Sequence, residues 1–516
     1  MTNSLRSAVP VLLCVAGVAT GVAGGIAGAQ GTPPASATSA TACDPGTSQA
    51  VAKATLFLQQ AASSVQAKQD ATKPLKLAIG ALTTPSKDAK EAADSVGRAY
   101  YLGQAYILML EQAGVAPSGP RASYGIASQP TANVDLLAAA DSAFTLVEKS
   151  QPGCRTEITQ WREQKPWLDA MNAAIAAVNA EHYDSAEVFA RRALTIDRRA
   201  PYAYTVLASV ASNKKDNATA VVMMRKAIEV ASADTAYNDA RQNAMYDLGN
   251  ALFSEYDAAS GTQKSALGRE TMDAWIAYVP VGAQDARVAR ALSGASQIAL
   301  AMKDTADYPK IYAPVLANPS RFGDQALLNA GVIATQANRS ADAIALFDAV
   351  AMRNPYQRDA LKNLAASYIG AKQPEKVGPI VDKLVALDPN NASNWLLYAY
   401  AYAGMLKGTK DPKLTKAYTD SLVKYNTKSE TMTPDVQVQE FSISSEGKAA
   451  TLGGTIANRG AAAKSYTMNV EFLDKSGAVV GSQSVTVGPV APKSSAPFKA
   501  TIQAPGVVGY RYKPIV

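Results

Sequence analysis

The sequence contains a single histidine, His182, and only three cysteines among 516 residues. Because zinc sites in proteins are built mainly from cysteine and histidine side chains, the usual zinc sets cannot be assembled. A Ser-His-Asp triad would depend on His182 alone, which stands beside Tyr183 in a turn between two helical segments. No G-x-S-x-G, P-loop or EF-hand motif occurs. The sequence therefore predicts no metal, no cofactor and no enzymatic activity.

Carboxylates remain as a catalytic resource, because a glycosidase needs no more than two of them. The chain has 43 acidic residues, but no spacing singles out a pair. Asp184 and Glu187 are better explained as helix-start residues near the positive end of a helix dipole. An enzyme that uses a carboxylate pair stays as the least favoured alternative.

The chain also lacks a strong charge bias and is poor in aromatic residues. Fifty Lys and Arg against 43 acidic residues give a net charge of +7 without a concentrated basic stripe, so no nucleic-acid partner is expected. Aromatics supply 7% of residues, while hydrophobic content reaches 48%. A core of small apolar side chains favours close packing of helix against helix.

Long apolar runs are missing except at the N-terminus. Arg6 precedes an apolar run at 9–18, and Ala27-Gly28-Ala29 matches the pattern that signal peptidase cuts. We expect cleavage before Gln30, export to the periplasm or the extracellular side of a bacterial envelope, and no integral membrane span afterwards. The alternative is an uncleaved anchor formed by residues 9–30.

The mature chain keeps two cysteines, Cys43 and Cys154. Cys14 lies in the apolar run after two leucines and does not fit a lipoprotein box. An even pair in an exported protein predicts one disulfide between Cys43 and Cys154, and two buried thiols are the alternative.

The hydrophobic pattern divides the chain into segments. In order, they are a signal peptide (1–29), a low-complexity linker (30–47), an N-terminal helical region with one degenerate repeat unit (48–166), the main helical array (167–426), a second linker (427–432) and a β-domain (433–516). A Pro- and Ser-rich insertion loop at 115–133 interrupts the N-terminal region. Alternation of Thr and Val replaces helical periodicity in the β-domain.

A repeat of 34 residues runs through the helical array. Its clearest form is the recurrence of Gly331, Ala343, Phe347 and Pro355 as Ala365, Val377, Val381 and Pro389. A small residue midway along the first helix, such as Gly249, lets the second helix pack closely, and a proline ends the second helix. Pro309 and Pro314 predict one short or kinked second helix. Such hairpins bury their faces by stacking.

The period, the segment 246–253 around Gly249 and the segment 349–355 ending at Pro355 resemble the tetratricopeptide repeat (TPR) family. The resemblance implies a mostly α fold: a right-handed superhelix of about seven or eight helical hairpins with one concave surface. Some family members hold a carboxylate with a lysine and an asparagine. Asn250 matches the asparagine, but Tyr246 stands where the lysine would be.

The β-domain shows six or seven short strands separated by turn residues. This pattern predicts a small all-β, immunoglobulin-like sandwich. The turn at 458–460 and the hairpin at 472–477 resemble the bacterial β-sandwich modules called FxLYD domains, which implies a contact module without a catalytic site.

The repeat register predicts which side chains line a partner-binding groove. They are mostly uncharged hydrogen-bonding residues with interspersed aromatics: Thr205, Ser209, Asn213, Tyr246, Asn250, Phe253, Gln325, Gln336, Lys362 and Tyr400. Such a lining suits the backbone of a protein or peptide partner. The sequence thus predicts an exported, non-enzymatic scaffold or adaptor with a role in cell-envelope assembly. A cell-wall glycan or peptidoglycan binder that uses the aromatics is the alternative.

Overall fold

The computed structural model describes residues 43–86, 88, 94–444 and 446–516. The predicted signal peptide and residues 30–42 of the predicted first linker lie outside this part of the chain. The helices before the main array are α1 (Gln49–Gln66), α2 (Thr72–Thr83), α3 (Ser95–Leu110), α4 (Leu136–Ser150) and α5 (Arg155–Arg162).

The main array continues the helical part with consecutive pairs. Its helices are α6 (Lys165–Asn179), α7 (Tyr183–Ile196), α8 (Tyr202–Asn213), α9 (Asn217–Ala231), α10 (Asn238–Ala258), α11 (Gly261–Val281), α12 (Arg287–Ala301), α13 (Tyr308–Ala317), α14 (Asp324–Gln336), α15 (Ser340–Arg353), α16 (Arg358–Gly370), α17 (Val377–Leu387), α18 (Ala392–Gly408) and α19 (Pro412–Thr431). The described helices confirm the predicted TPR-like array.

Glycines midway along first helices set the spacing of the hairpins. A Cβ on Gly331 would stand 2.5 Å from the ring of Phe347, and one on Gly249 would stand 2.2 Å from the indole of Trp275. No side chain fits at such distances, because protein interiors are close-packed. The small-residue seam predicted from the repeat is therefore the contact between the two helices of a unit.

The turn inside each hairpin has a recurring conformation. A residue with positive φ closes this turn in five units of the array: Glu181, Lys215, Lys303, Asn338 and Lys372. The next N–H donates to the carbonyl five residues back, as from Asp216 to Ala211 (2.9 Å), an arrangement usually built on glycine. Lys68, between α1 and α2, has the same conformation. These two helices thus form a further hairpin, which the sequence pattern does not reveal.

Prolines end the second helices as predicted. α11 ends one residue after Pro280, α15 ends two residues before Pro355, and α17 ends two residues before Pro389. α13, with Pro309 in its first turn and Pro314 inside, has only 10 residues, whereas α15 has 14. A proline lacks the N–H of the helix ladder, so the predicted short helix is explained.

The region 115–133 separates the two helices of one hairpin. It forms a small antiparallel ribbon of β1 (Ser118–Pro120) and β2 (Asn133–Asp135). A Cβ on Gly103 of α3 would stand 2.4 Å from the ring of Phe144 on α4. The same seam therefore joins these helices across the insertion.

A disulfide and a buried ion network close the N-terminal hairpins. Cys43 and Cys154 are bonded, with their Cα atoms 4.5 Å apart. Arg162 of α5 is only 4% exposed and pairs with Asp141 (2.7 Å) and Glu148 (3.1 Å) of α4. A buried cation needs such partners to offset its desolvation.

The predicted linker at 427–432 is wrong. α19 runs without a break to Thr431, and strand β3 begins four residues later. Residues 426–431 contain no glycine or proline, so no helix-breaking residue ends the helix at Tyr425. The array therefore passes directly into the β-domain.

The β-domain is a sandwich of two three-stranded sheets. Its strands are β3 (Asp435–Ile443), β4 (Ala449–Asn458), β5 (Lys464–Leu473), β6 (Val479–Val490), β7 (Ser494–Gln503) and β8 (Gly509–Tyr512). The sheet orders are β3-β4-β7 and β6-β5-β8, all antiparallel. Inward side chains such as Leu452, Phe472 and Phe498 from both sheets share one core. The predicted all-β sandwich is confirmed.

Candidate functional site

The sandwich docks on the array through the turn between α17 and α18. Asp388 in this turn is fully buried. Its carboxylate accepts hydrogen bonds from Arg358 (2.6 Å) and Asn391 (3.0 Å), and the hydroxyl of Tyr512 is a third donor. Because an unpaired buried carboxylate is strongly unfavourable, these donors hold two repeat units and β8 together.

Asn390 in the same turn pairs with the backbone of the sandwich. Its side-chain amide donates to the carbonyl of Ile515 (2.9 Å) and accepts from the N–H of Ile515 (2.7 Å). The amide also donates to the carbonyl of Pro434 (3.3 Å). The backbone carbonyl of Asn390 accepts from the N–H of Val436 at the start of β3 (2.8 Å).

The equivalent turn one unit earlier makes a second contact. Asn354 donates to the carbonyl of Val508 (2.8 Å). A Cβ on Gly509 would stand 2.5 Å from the Cβ of Tyr356, so glycine permits a close approach there. Two consecutive turns of the array thus seat the sandwich in one orientation.

The side of the sandwich that contacts the array is the side that carries two edge strands. β3 and β8 are edge strands of their sheets, and both meet the array. Exposed sheet edges invite association with other chains, and folds commonly cover them. Here Asn390 covers the start of β3, whereas residues 438–441 face a cleft.

The cleft, of about 400 Å³, lies between the first helices α14 and α16 and strand β3. It is lined by α14 (Gln325, Leu328, Asn329 and Val332), by α16 and the turn before it (356–359, Lys362 and Asn363) and by the sandwich (438–441 and Tyr510). Asn329 and Asn363 hold equivalent places in consecutive units. The helical wall is therefore one face of the repeat.

Charges in the cleft are unevenly satisfied. Arg358 pairs with Asp359 (2.9 Å) as well as with Asp388. Lys362 is half-buried and has no ion pair within the described chain; burial, followed by the nearby Arg358, lowers the pKa of Lys362. Tyr510 is 2% exposed, and its hydroxyl has no hydrogen-bond partner among the described residues. Among the described residues, the cleft thus carries one unpaired cation, Lys362, and an acidic residue on the opposite wall, Glu440 of β3, whose carboxylate accepts from the hydroxyl of Ser442 (2.9 Å).

Gln325 and Lys362 are the predicted groove residues that the structure brings together, at the cleft. The three on α8 are engaged locally or buried. The hydroxyl of Thr205 donates within its own helix, Asn213 donates to the carbonyl of Ser209 (2.9 Å), and Ser209 is 5% exposed. Ser209 is therefore not an accessible groove residue, which corrects the prediction.

Tyr246 and Phe253 are not free groove side chains either. Tyr246 is 7% exposed, and its ring centroid lies 5.3 Å from that of Tyr278 on α11. Phe253 is 39% exposed, but its ring packs against Trp275, which is also on α11, with the ring centroids 5.6 Å apart. The reason is helical spacing: they lie three residues before and four after Gly249, on the face that meets α11.

Asn250 lies beside a partly buried charge cluster between α10 and α12. Burial raises the pKa of Asp247 to about 6, although Arg287 and a hydrogen bond with Asn250 oppose the shift. The guanidinium of Arg287 lies 4.8 Å from the Tyr246 ring centroid and binds Asp285 (2.8 Å). These contacts tie consecutive first helices together.

The remaining predicted residues lie apart from the cleft. Gln336 accepts from the hydroxyl of Ser296 (3.1 Å) and so bridges α14 and α12. Tyr400 on α18 is 52% exposed and does not line the cleft.

The sequence reasoning missed Asn329 and Asn363, although their 34-residue spacing follows the register that selected Gln325. The repeat could have identified both asparagines. No sequence signal places Tyr510 or residues 438–441 opposite them, because that contact joins segments that are distant along the chain.

Among the residues that the structure describes, no group of three or more His, Cys, Asp or Glu side chains could hold a metal ion. None of the helices described has both the length and the apolar character needed to cross a bilayer.

No family model matches the chain, and no curated protein matches it. Similar solved structures are TPR proteins with low sequence identity. PilF of Pseudomonas aeruginosa is 16% identical, with a TM-score of 0.25, over 46% of this chain and 97% of that one. YrrB, described as a TPR protein with an unusual peptide-binding site, is 17% identical, with a TM-score of 0.26. The match covers 42% of this chain and 97% of that one.

The TPR2AB domain of yeast Sti1, in its complex with pHSP90, is 14% identical, with a TM-score of 0.23, over 51% of this chain and 98% of that one. These TM-scores are low, so the hairpin assignment rests on the repeat register and turn geometry of the chain itself. The resemblance of the sandwich to FxLYD modules stays a prediction.

Proposed function

We propose that this chain is a non-enzymatic scaffold that binds a segment of a partner protein at the cleft between α14, α16 and β3. The carrying observation is the composition of the helical wall. Gln325 and Asn363 line this wall with side-chain amides, whose donors and acceptors match the C=O and N–H groups of a peptide backbone. Asn329 holds the wall together instead: its amide donates to the carbonyl of Ala289 (2.8 Å) and the hydroxyl of Ser293 (2.9 Å) and accepts from Gln325 (2.9 Å).

The docking of the sandwich supports the same function. Asp388 and Asn390 fix β3 opposite the helices, so both walls of the cleft are in place before a partner arrives. Binding to a preformed site loses less conformational entropy than binding to a mobile one.

Export and a role in the bacterial envelope are part of the proposal. The pairing of Cys43 with Cys154 supports it, because structural disulfides persist in oxidising compartments. The cell fraction that holds the protein, its N-terminal peptide and its thiol state test this part. A cytosolic chain that begins at Met1 and carries three alkylatable thiols, those of Cys14, Cys43 and Cys154, would contradict it.

The glycan alternative loses part of its support. It depended on aromatic side chains in the groove, and Tyr246 and Phe253 pack against α11 instead. Retention on isolated cell wall remains its test.

Photo-crosslinking in cells tests the scaffold function. A photoreactive residue replaces Asn363 in the cleft or, as a control, Val222 on α9, which is 55% exposed. We expect a discrete protein adduct from position 363 and none of that size from position 222. Absence of an adduct at 363, or the same adduct from both positions, would contradict the proposal.

A further inference from the structure

We propose that the open part of β3 is a strand-addition site. An extended peptide pairs its backbone with Val438 and places an acidic side chain against Lys362 on the facing helix. This inference rests on the scaffold function and specifies the ligand of the same cleft.

The orientation of the β3 backbone provides the first step. The N–H of Val436 donates to Asn390 and so faces away from β4. The register is regular up to Val438, which lies opposite Gly454, and shifts only beyond it. Because orientation alternates along an antiparallel strand, Val438 also directs its N–H and C=O to the free edge.

The edge already pairs with one backbone group. The outward N–H of Val436 donates a hydrogen bond to the backbone carbonyl of Asn390 (2.8 Å). Val438 is the next outward residue, and it lines the cleft. A peptide backbone in the cleft would therefore continue an interface that the array has begun, as in β-augmentation.

The facing wall provides the charge preference. Lys362 has no carboxylate partner among the described residues, whereas Arg358 is held by Asp388 and Asp359. Glu440 of β3 also lines the cleft, so the acidic side chain of the peptide belongs at the helical wall, beside Lys362. A carboxylate gains more from the Lys362 ammonium than a neutral group does, since hydrogen bonds to charged groups are the stronger ones.

The test uses the full chain and a displayed library of random linear peptides. Enriched sequences are synthesised with blocked ends, and their dissociation constants are measured by fluorescence anisotropy. We expect the enriched peptides to share an acidic residue. Lys362→Met, and replacement of that acid by its amide, should each weaken binding about tenfold.

Backbone pairing is tested from both sides. Val438→Pro removes the outward N–H but no hydrogen bond to β4, and it should weaken binding about tenfold, whereas Val438→Thr should not. When single amides of the peptide are N-methylated, one position should lose affinity for the unaltered protein by the same factor. This second measurement holds even where the proline variant fails to fold.

The outcomes separate this inference from the scaffold function. Peptides that bind Val438→Pro and Lys362→Met normally and tolerate N-methylation at every position, but lose affinity for Asn363→Arg, would overturn strand addition and leave a scaffold that binds at the helical wall of the cleft. Failure to enrich any peptide would count against both.

Discussion

Asn390 and Ile515 form a reciprocal pair of hydrogen bonds, with the side-chain amide of one matching the backbone N–H and C=O of the other at 2.7 and 2.9 Å. The pair imitates a bridge between two antiparallel strands. It joins a turn of the helical array to the end of the β-domain. Two folds that the sequence separates are thus held in one arrangement.

Loss of Asp388 should release the sandwich. Asp388→Ala leaves Arg358 buried with only its exposed partner, so we expect a loss of about 3–5 kcal/mol in unfolding free energy. Asp359→Ala is the matched control: this carboxylate is 64% exposed and binds the same guanidinium, so its removal should change stability by at most about 1 kcal/mol. Urea denaturation measures both, and equal losses would show that Asp388 has no special role.

Gly249→Ala should destabilise the hairpin of α10 and α11. The added Cβ meets the Trp275 indole at 2.2 Å, and overpacking of this kind costs about 1–3 kcal/mol. Gly378→Ala is the control, since no atom outside its own stretch of helix lies within 4 Å of its Cβ position. That substitution should leave the thermal midpoint unchanged or raise it. A similar response from both variants would contradict the seam.

The repeat period predicted the seam and the helix-ending prolines, because both depend on residue size and backbone chemistry at fixed spacing. The period failed to place Tyr246 and Phe253, which were predicted to line the groove. Their spacing from Gly249 puts them on the face of α10 that meets α11. The sequence could not predict the docking of the sandwich, for a different reason. Asp388 and Asn390 look like ordinary turn residues until residues 512–515 are placed beside them.

Asp247 should make stability fall as pH rises. Its pKa is raised from 3.8 to about 6 by burial. A group whose pKa is higher in the folded state contributes stability that is complete below pH about 4 and is lost as the pH rises through about 6. Asp247→Asn should therefore gain about 2–3 kcal/mol over wild type at pH 7 relative to pH 4. Denaturation curves of both proteins at the two pH values measure this. If the difference in unfolding free energy between variant and wild type were the same at both pH values, Asp247 would not be the source of the pH dependence.

Cys154→Ser should loosen the N-terminal hairpins. The bond closes a sequence separation of 111 residues, for which the chain-entropy model gives about 4–5 kcal/mol before strain. We expect a lower thermal midpoint for the variant and no further change on adding reductant. Wild type should fall to the same midpoint when reduced. A reductant effect on the variant would mean that another process is being observed.

Amide hydrogen exchange along β3 tests the central claim most directly, because it reports separately on the covered and the open part of one edge. The N–H of Val436 is bonded to Asn390, whereas that of Val438 faces the cleft. We predict that Val436 exchanges about a hundredfold more slowly than Val438 in the full chain, and that a bound partner slows Val438. Equal, fast exchange at both residues would show that the sandwich is not docked. Equal, slow exchange without a partner would show that the edge is closed.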